Sequence, residues 1–147
     1  MKKENTMRKI DYIVIHCTAT PQTAKVDAIK NYWKNILKWS RVGYHFIIEA
    51  NGNIIQLADI KEVTNGVAGY NRNSIHISYI GGVDKSGKPI DNRTAEQKKS
   101  LLNIIKKVRS EVVLIQRYFP IIQGHKDFPG VKKACPSFNA KKEYETL

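Results

Sequence analysis

Ile10-Asp11-Tyr12-Ile13-Val14-Ile15-His16 is the stretch whose reading decides the fold. Its β-branched residues favour extended backbone, and its nearly unbroken apolar run suits a strand covered on both faces. Working outward, strands and helices alternate. From Lys25 to Trp39 the residues Val26, Ile29, Tyr32, Trp33, Ile36 and Leu37 recur at helical spacing, which predicts an amphipathic helix. Tyr44 to Glu49 reads as a strand, Asn51-Gly52 as a type I′ hairpin turn, and Asn53 to Leu57 as the returning strand.

Ser74 to Ile80 alternates polar with apolar residues and stops at Gly81-Gly82, which predicts a half-buried strand. Thr94 and Gln97 form a capping box ahead of a helical stripe of Leu101, Ile104, Ile105, Val108 and Val112. Gln123 to Leu147 reads as a loop followed by a short terminal helix. The pattern predicts one α/β domain over residues 9–147, a central mixed β-sheet flanked by helices, behind a charged leader at 1–8.

Composition bounds the function. The chain has 147 residues and 25 Lys plus Arg against 13 Asp plus Glu, a formal net charge of +12. That length supports one core without metal or disulfide staples, and two cysteines allow at most one bridge. The apolar runs are far too short to span a membrane. The basic start is not followed by the apolar stretch of about 7–15 residues that a secretory signal needs, so the expectation is cytoplasmic synthesis. The charge favours a polyanionic partner, whether nucleic acid, anionic lipid or bacterial wall.

Four histidines are present, His16, His45, His76 and His125. His16 ends the first strand, His125 follows the strand-like run Phe119 to Gly124, and Cys135 lies ten residues further on. A catalytic zinc takes three N, S or O ligands and keeps one position open, and these three residues supply two imidazoles and a thiolate. Their spacing is no local signature. It leaves open two strand-end histidines bonded to backbone beside a buried thiol.

Ile13-Val14-Ile15-His16-Cys17-Thr18-Ala19-Thr20 and Val42-Gly43-Tyr44-His45-Phe46-Ile47-Ile48 resemble the opening of the zinc-dependent N-acetylmuramoyl-L-alanine amidases. Gly69 to Ile75, Gly81-Gly82 and Lys133-Ala134-Cys135-Pro136-Ser137-Phe138 extend the resemblance, in order, over nearly the whole chain. The arrangement is most similar to the amidase-type lysozymes of T-odd phages, in the superfamily that also contains the peptidoglycan-recognition proteins. The resemblance implies zinc bound by His16, His125 and Cys135, with Tyr44 and Lys133 acting beside the metal. No glutamate matches a general base.

It also implies hydrolysis of the amide between N-acetylmuramic acid and L-alanine in peptidoglycan, by a monomeric phage or prophage endolysin that reaches the wall after release. Many relatives carry a groove-lining histidine where this chain reads Thr64-Asn65-Gly66-Val67-Ala68. Asn71, Arg72 and Asn73 are the candidate substrate-groove residues, with Arg72 suited to a stem-peptide carboxylate. His45 is expected to be structural and His76 to lie on a solvent-facing side or in a groove. Period-two alternation turns Cys17 away from the metal. The rival classes are a non-catalytic peptidoglycan-binding module, which the presence of Cys135 argues against, and a nucleic-acid binder, which ranks last because no basic element interleaves exposed aromatics.

Overall fold

A computed structural model describes residues 7–147. Alternation along β1 (Tyr12–Cys17) sends Ile13, Ile15 and Cys17 to one face of the sheet and Tyr12, Val14 and His16 to the other. Both faces are covered, as the apolar run of this segment requires. The other strands are β2 (Phe46–Ile48), β3 (Ile54–Gln56), β4 (Ser74–Tyr79) and β5 (Ile121–Gly124), in the sheet order β3-β2-β4-β1-β5. β1, β2, β4 and β5 run parallel, and only β3 is antiparallel. The expected mixed sheet is therefore present.

The face carrying Ile13, Ile15, Ile75 and Ile77 packs on a long helix, whose buried stripe is Leu101, Ile104, Ile105, Val108 and Val112. Each fully buried isoleucine contributes about 1.5–3 kcal/mol. Thr94 caps that helix as expected. Its hydroxyl accepts from the Gln97 amide at 3.0 Å, while the Gln97 side chain accepts from the Thr94 amide at 3.0 Å. With α1 (Val26–Asn31) before it, this helix is α2 (Ala95–Gln116); a short α3 (Ala140–Glu143) closes the chain. Among the described residues no helix is long and apolar enough to cross a membrane.

Several expectations change. The predicted helix from Lys25 to Trp39 is α-helical only over Val26–Asn31, then widens into a π-turn at Tyr32–Ile36. Leu37 donates to the Tyr32 carbonyl and Trp39 to the Trp33 carbonyl. That widening buries Ile29 and Trp33 but leaves Tyr32, Ile36 and Leu37 at least a third exposed, so much of the apolar stripe misses the core.

The hairpin is not type I′. Of Asn51 and Gly52 only Gly52 has positive φ, at 89°, and its amide donates to Glu49, giving a three-residue loop closed by a left-handed glycine. β4, read as half-buried, is buried at every position, because parallel strands flank it on both sides and both faces are covered.

Of the expected leader, residues 1–6 lie outside the described residues. Arg8 belongs to the domain. Its guanidinium donates to the carbonyls of Ile60, Glu62, Arg72 and Ser74 at 2.7–3.1 Å, tying the loop after β3 to the start of β4. Burial lowers its pKa to about 10.

Candidate functional site

The carboxyl ends of neighbouring parallel strands are where a doubly covered sheet exposes loops and side chains together. Ile15 of β1 pairs with Gly124 of β5, so the next residue of each strand, His16 and His125, leaves the sheet at the same level. Their rings lie 5.0 Å apart. The third residue arrives from the loop before α3. Cys135 Sγ accepts from the Cys17 amide at 3.2 Å and sits 3.7 Å from His16 Nδ1. Tyr79 fixes that loop from below, its hydroxyl donating to the Pro136 carbonyl at 2.6 Å. Ser137 Oγ donates to the Gly82 carbonyl at 2.8 Å.

One ligand atom from each of His16, His125 and Cys135 lies within 4.8 Å of the other two. Two imidazoles and a thiol are a zinc-type donor set with a position left over. The electrostatics suit a cation-binding role. His16 is buried, and burial with its neighbours His76, His125 and Lys133 holds its pKa well below the usual histidine value. Burial and the Lys133 charge lower His125 to about 4. Both rings are thus neutral at neutral pH, with lone pairs available. The adjacent Cys17 sulfur and burial push the Cys135 thiol up, so that it keeps its proton until a cation displaces it.

The three residues open onto a cleft of about 720 Å³, with Tyr44 and Lys133 also on its surface. The Tyr44 ring lies 4.9 Å from His16 and packs edge-on against Trp33, while its hydroxyl donates to the Cys17 carbonyl at 3.3 Å. Burial and the neighbouring Cys135 raise the phenol's pKa, which makes it a donor and not a base. Lys133 stands exposed on the rim. Tyr32, Trp33, Leu37 and Trp39 line the cleft as well. The π-turn thus redirects part of the apolar stripe that sequence periodicity assigned to the core into the cleft. Periodicity gives no sign of this partly exposed wall, and only the surplus of large apolar residues in that segment hints at it.

The expected groove residues divide. Asn71 lines a shallower extension of the cleft beside Lys133, but its side-chain oxygen is occupied by the amides of Gly66 and Val67 at 3.0 and 2.8 Å. Arg72 is exposed and lines neither cavity, and Asn73 donates to Asp11 at 2.8 Å on the far side of its turn.

His76 is not solvent-facing. It is fully buried beneath His16, because β4 has no open face. His45 is buried as well, with Nε2 donating to the Glu62 carbonyl at 2.7 Å and Nδ1 accepting from the His76 amide at 3.0 Å. Cys17 lies with the α2-side core, and it and Cys135 are free thiols.

The sequence family described as N-acetylmuramoyl-L-alanine amidase matches residues 6–138. The endolysin of Escherichia phage T7 is 34% identical over 137 residues, covering 92% of this chain and 85% of that protein. Among solved structures, N-acetylmuramoyl-L-alanine amidase LysC from Clostridium intestinale superposes with a TM-score of 0.71 at 20% identity, covering 97% of this chain and 86% of that one. PGRP-SA of Apis mellifera gives 0.73 at 23% identity, with 94% and 82% covered. These two structures share the fold. On the match over residues 6–138 and the likeness to the phage protein, this chain belongs to the N-acetylmuramoyl-L-alanine amidase family.

Proposed function

We propose that this amidase cleaves the bond between N-acetylmuramic acid and L-alanine in bacterial peptidoglycan with zinc held by His16, His125 and Cys135. The observation that carries the reading is the convergence of two neutral imidazoles and a thiol at the floor of an open cleft. Zinc with three protein ligands supplies Lewis acidity toward an amide carbonyl and acidifies water toward neutrality.

The chain's own residues do the rest. The wall of Tyr32, Leu37 and Trp39, backed by the buried Trp33, offers apolar area against which sugar and stem peptide stack, excluding water from one side of the scissile bond. Negative charge develops on the carbonyl oxygen as the amide carbon becomes tetrahedral. Lys133 on the rim supplies the opposing positive charge. Tyr44, kept protonated, has a single hydroxyl hydrogen, which turns from the Cys17 carbonyl toward the same centre when substrate is bound. Hydrolysis leaves a lactyl carboxylate on the sugar and a free amino group on L-alanine.

The biological setting that fits is a phage or prophage endolysin, acting on the wall after release, with the +12 charge favouring the wall polyanion. A non-catalytic wall-binding module would not need the thiol at 135. Digestion of purified walls tests the reading. New L-alanine amino termini that vanish on chelation support it, whereas release of reducing sugars without such termini overturns it.

A further inference from the structure

The buried histidine of β4 has a place in the site that the mechanism above does not use. Backbone amides can only donate, so the Asn71 atom facing the Gly66 and Val67 amides at 3.0 and 2.8 Å is the oxygen, not the nitrogen. The same oxygen lies 2.9 Å from His76 Nε2. An acceptor there requires Nε2 to carry the hydrogen.

No carboxylate is hydrogen-bonded to the ring among the described residues, and a buried imidazolium without a counter-charge is strongly disfavoured. His76 Nδ1 therefore holds a lone pair. It lies 2.8 Å from His16 Nε2, which must then be the donor. That leaves His16 Nδ1 bare, and Nδ1 is the atom 3.7 Å from Cys135 Sγ. Two backbone amides thus set, through two side chains, which nitrogen of His16 faces the cleft floor.

The chain leaves room for this arrangement. A β-carbon at Gly66 would overlap the His76 ring, so the position beside that ring accepts no side chain. Gly66 and His76 form a matched pair.

We propose that His76 is a positioning residue, which by accepting a hydrogen bond from His16 Nε2 orients that ring and presents its Nδ1 as the ligand atom. The inference rests on the zinc reading of the site. Loss of such a partner behind a ligating histidine lowers metal affinity by about 10–100-fold.

The test has two arms. In the unmutated, metal-free protein, nitrogen-15 histidine spectra should show both His16 and His76 protonated at Nε2 alone; a hydrogen on Nδ1 of either ring overturns the proposal whatever any variant does. In the second arm, zinc affinity is measured by competition with a chromophoric chelator. His76→Leu, which has no acceptor, should weaken zinc by about 10–100-fold. His76→Asn, whose side-chain oxygen can take the place of Nδ1, should recover most of that loss at a comparable melting temperature. Equal affinity in the wild-type and Leu proteins overturns the positioning role while leaving the metal site standing, and so does an Asn variant as weak as Leu. A wild-type protein that binds no zinc overturns the metal reading and this inference with it.

Discussion

His16 Nδ1 and Cys135 Sγ lie 3.7 Å apart although 119 residues separate them in the chain. Parallel pairing of β1 with β5 sets the level at which the histidines leave the sheet, and the loop anchored by Tyr79 and Ser137 returns the cysteine to it. The site therefore depends on the whole fold, and its residues can be tested one at a time.

Lys133 is exposed and bears no structural load, so Lys133→Ala should fold and bind zinc like the parent. Removing its charge from beside the developing oxyanion should lower kcat by about 100-fold or more, as loss of an oxyanion-stabilising group does elsewhere. Metal analysis alongside wall turnover checks this. Undiminished turnover would leave Lys133 as a surface lysine.

Tyr44→Phe removes one hydroxyl and keeps the ring between His16 and Trp33. Zinc content should be unchanged and kcat should fall by about 100-fold or more, the range of a lost proton donor. Metal analysis alongside wall turnover checks this; a Phe variant with undiminished turnover would contradict the assignment.

Arg93 anchors the segment that follows Cys135. Its guanidinium is paired with Asp91 and Glu143 at 2.8–2.9 Å and lies 3.4 Å over the Phe138 ring. Its own side chain is 2% exposed, whereas Asp91 and Glu143 are 32% and 40% exposed. Arg93→Met should cost about 2–4 kcal/mol, somewhat below the figure for a wholly buried pair. Asp91→Asn should cost about 1 kcal/mol or less. Urea denaturation of both variants measures the difference; equal and small losses would mean that the clamp contributes little.

Acid should weaken the fold through His45. Burial holds its pKa at about 4 in the folded chain, below the ordinary 6.5, so between those values the unfolded chain binds more protons than the native one. Stability is full above about pH 6.5 and declines as the pH falls to about 4, by about 3 kcal/mol from this residue. Denaturation midpoints measured across that range check the sign. A His45→Gln variant that keeps the whole pH slope would contradict the attribution.

Features governed by local pattern are legible in the sequence. The apolar run of β1, the Thr94–Gln97 box and the stripe of α2 each depend on period or capping chemistry, and each appears as expected. The candidate ligands are legible only through a resemblance spread over many blocks, since spacings of over a hundred residues carry no local signature. What pattern could not reach was tertiary. Alternation in Ser74 to Ile80 looks the same whether the polar side meets water or a buried site, so it points His76 to a solvent-facing side or a groove, whereas the ring is fully buried. Helical spacing cannot reveal a π-turn either, and Tyr32 and Leu37 therefore looked like core when they form a cleft wall.

The central claim is that this chain's amide hydrolysis runs on one zinc at His16, His125 and Cys135. It is tested most directly by stripping the protein with a chelator and titrating zinc back while counting new L-alanine amino termini on purified walls. Activity should disappear on stripping and return to saturation at one zinc per chain, and a Cys135→Ser protein should not recover at that ratio. Termini released at the full rate by the stripped protein, or equal recovery in the Cys135→Ser protein, would contradict it.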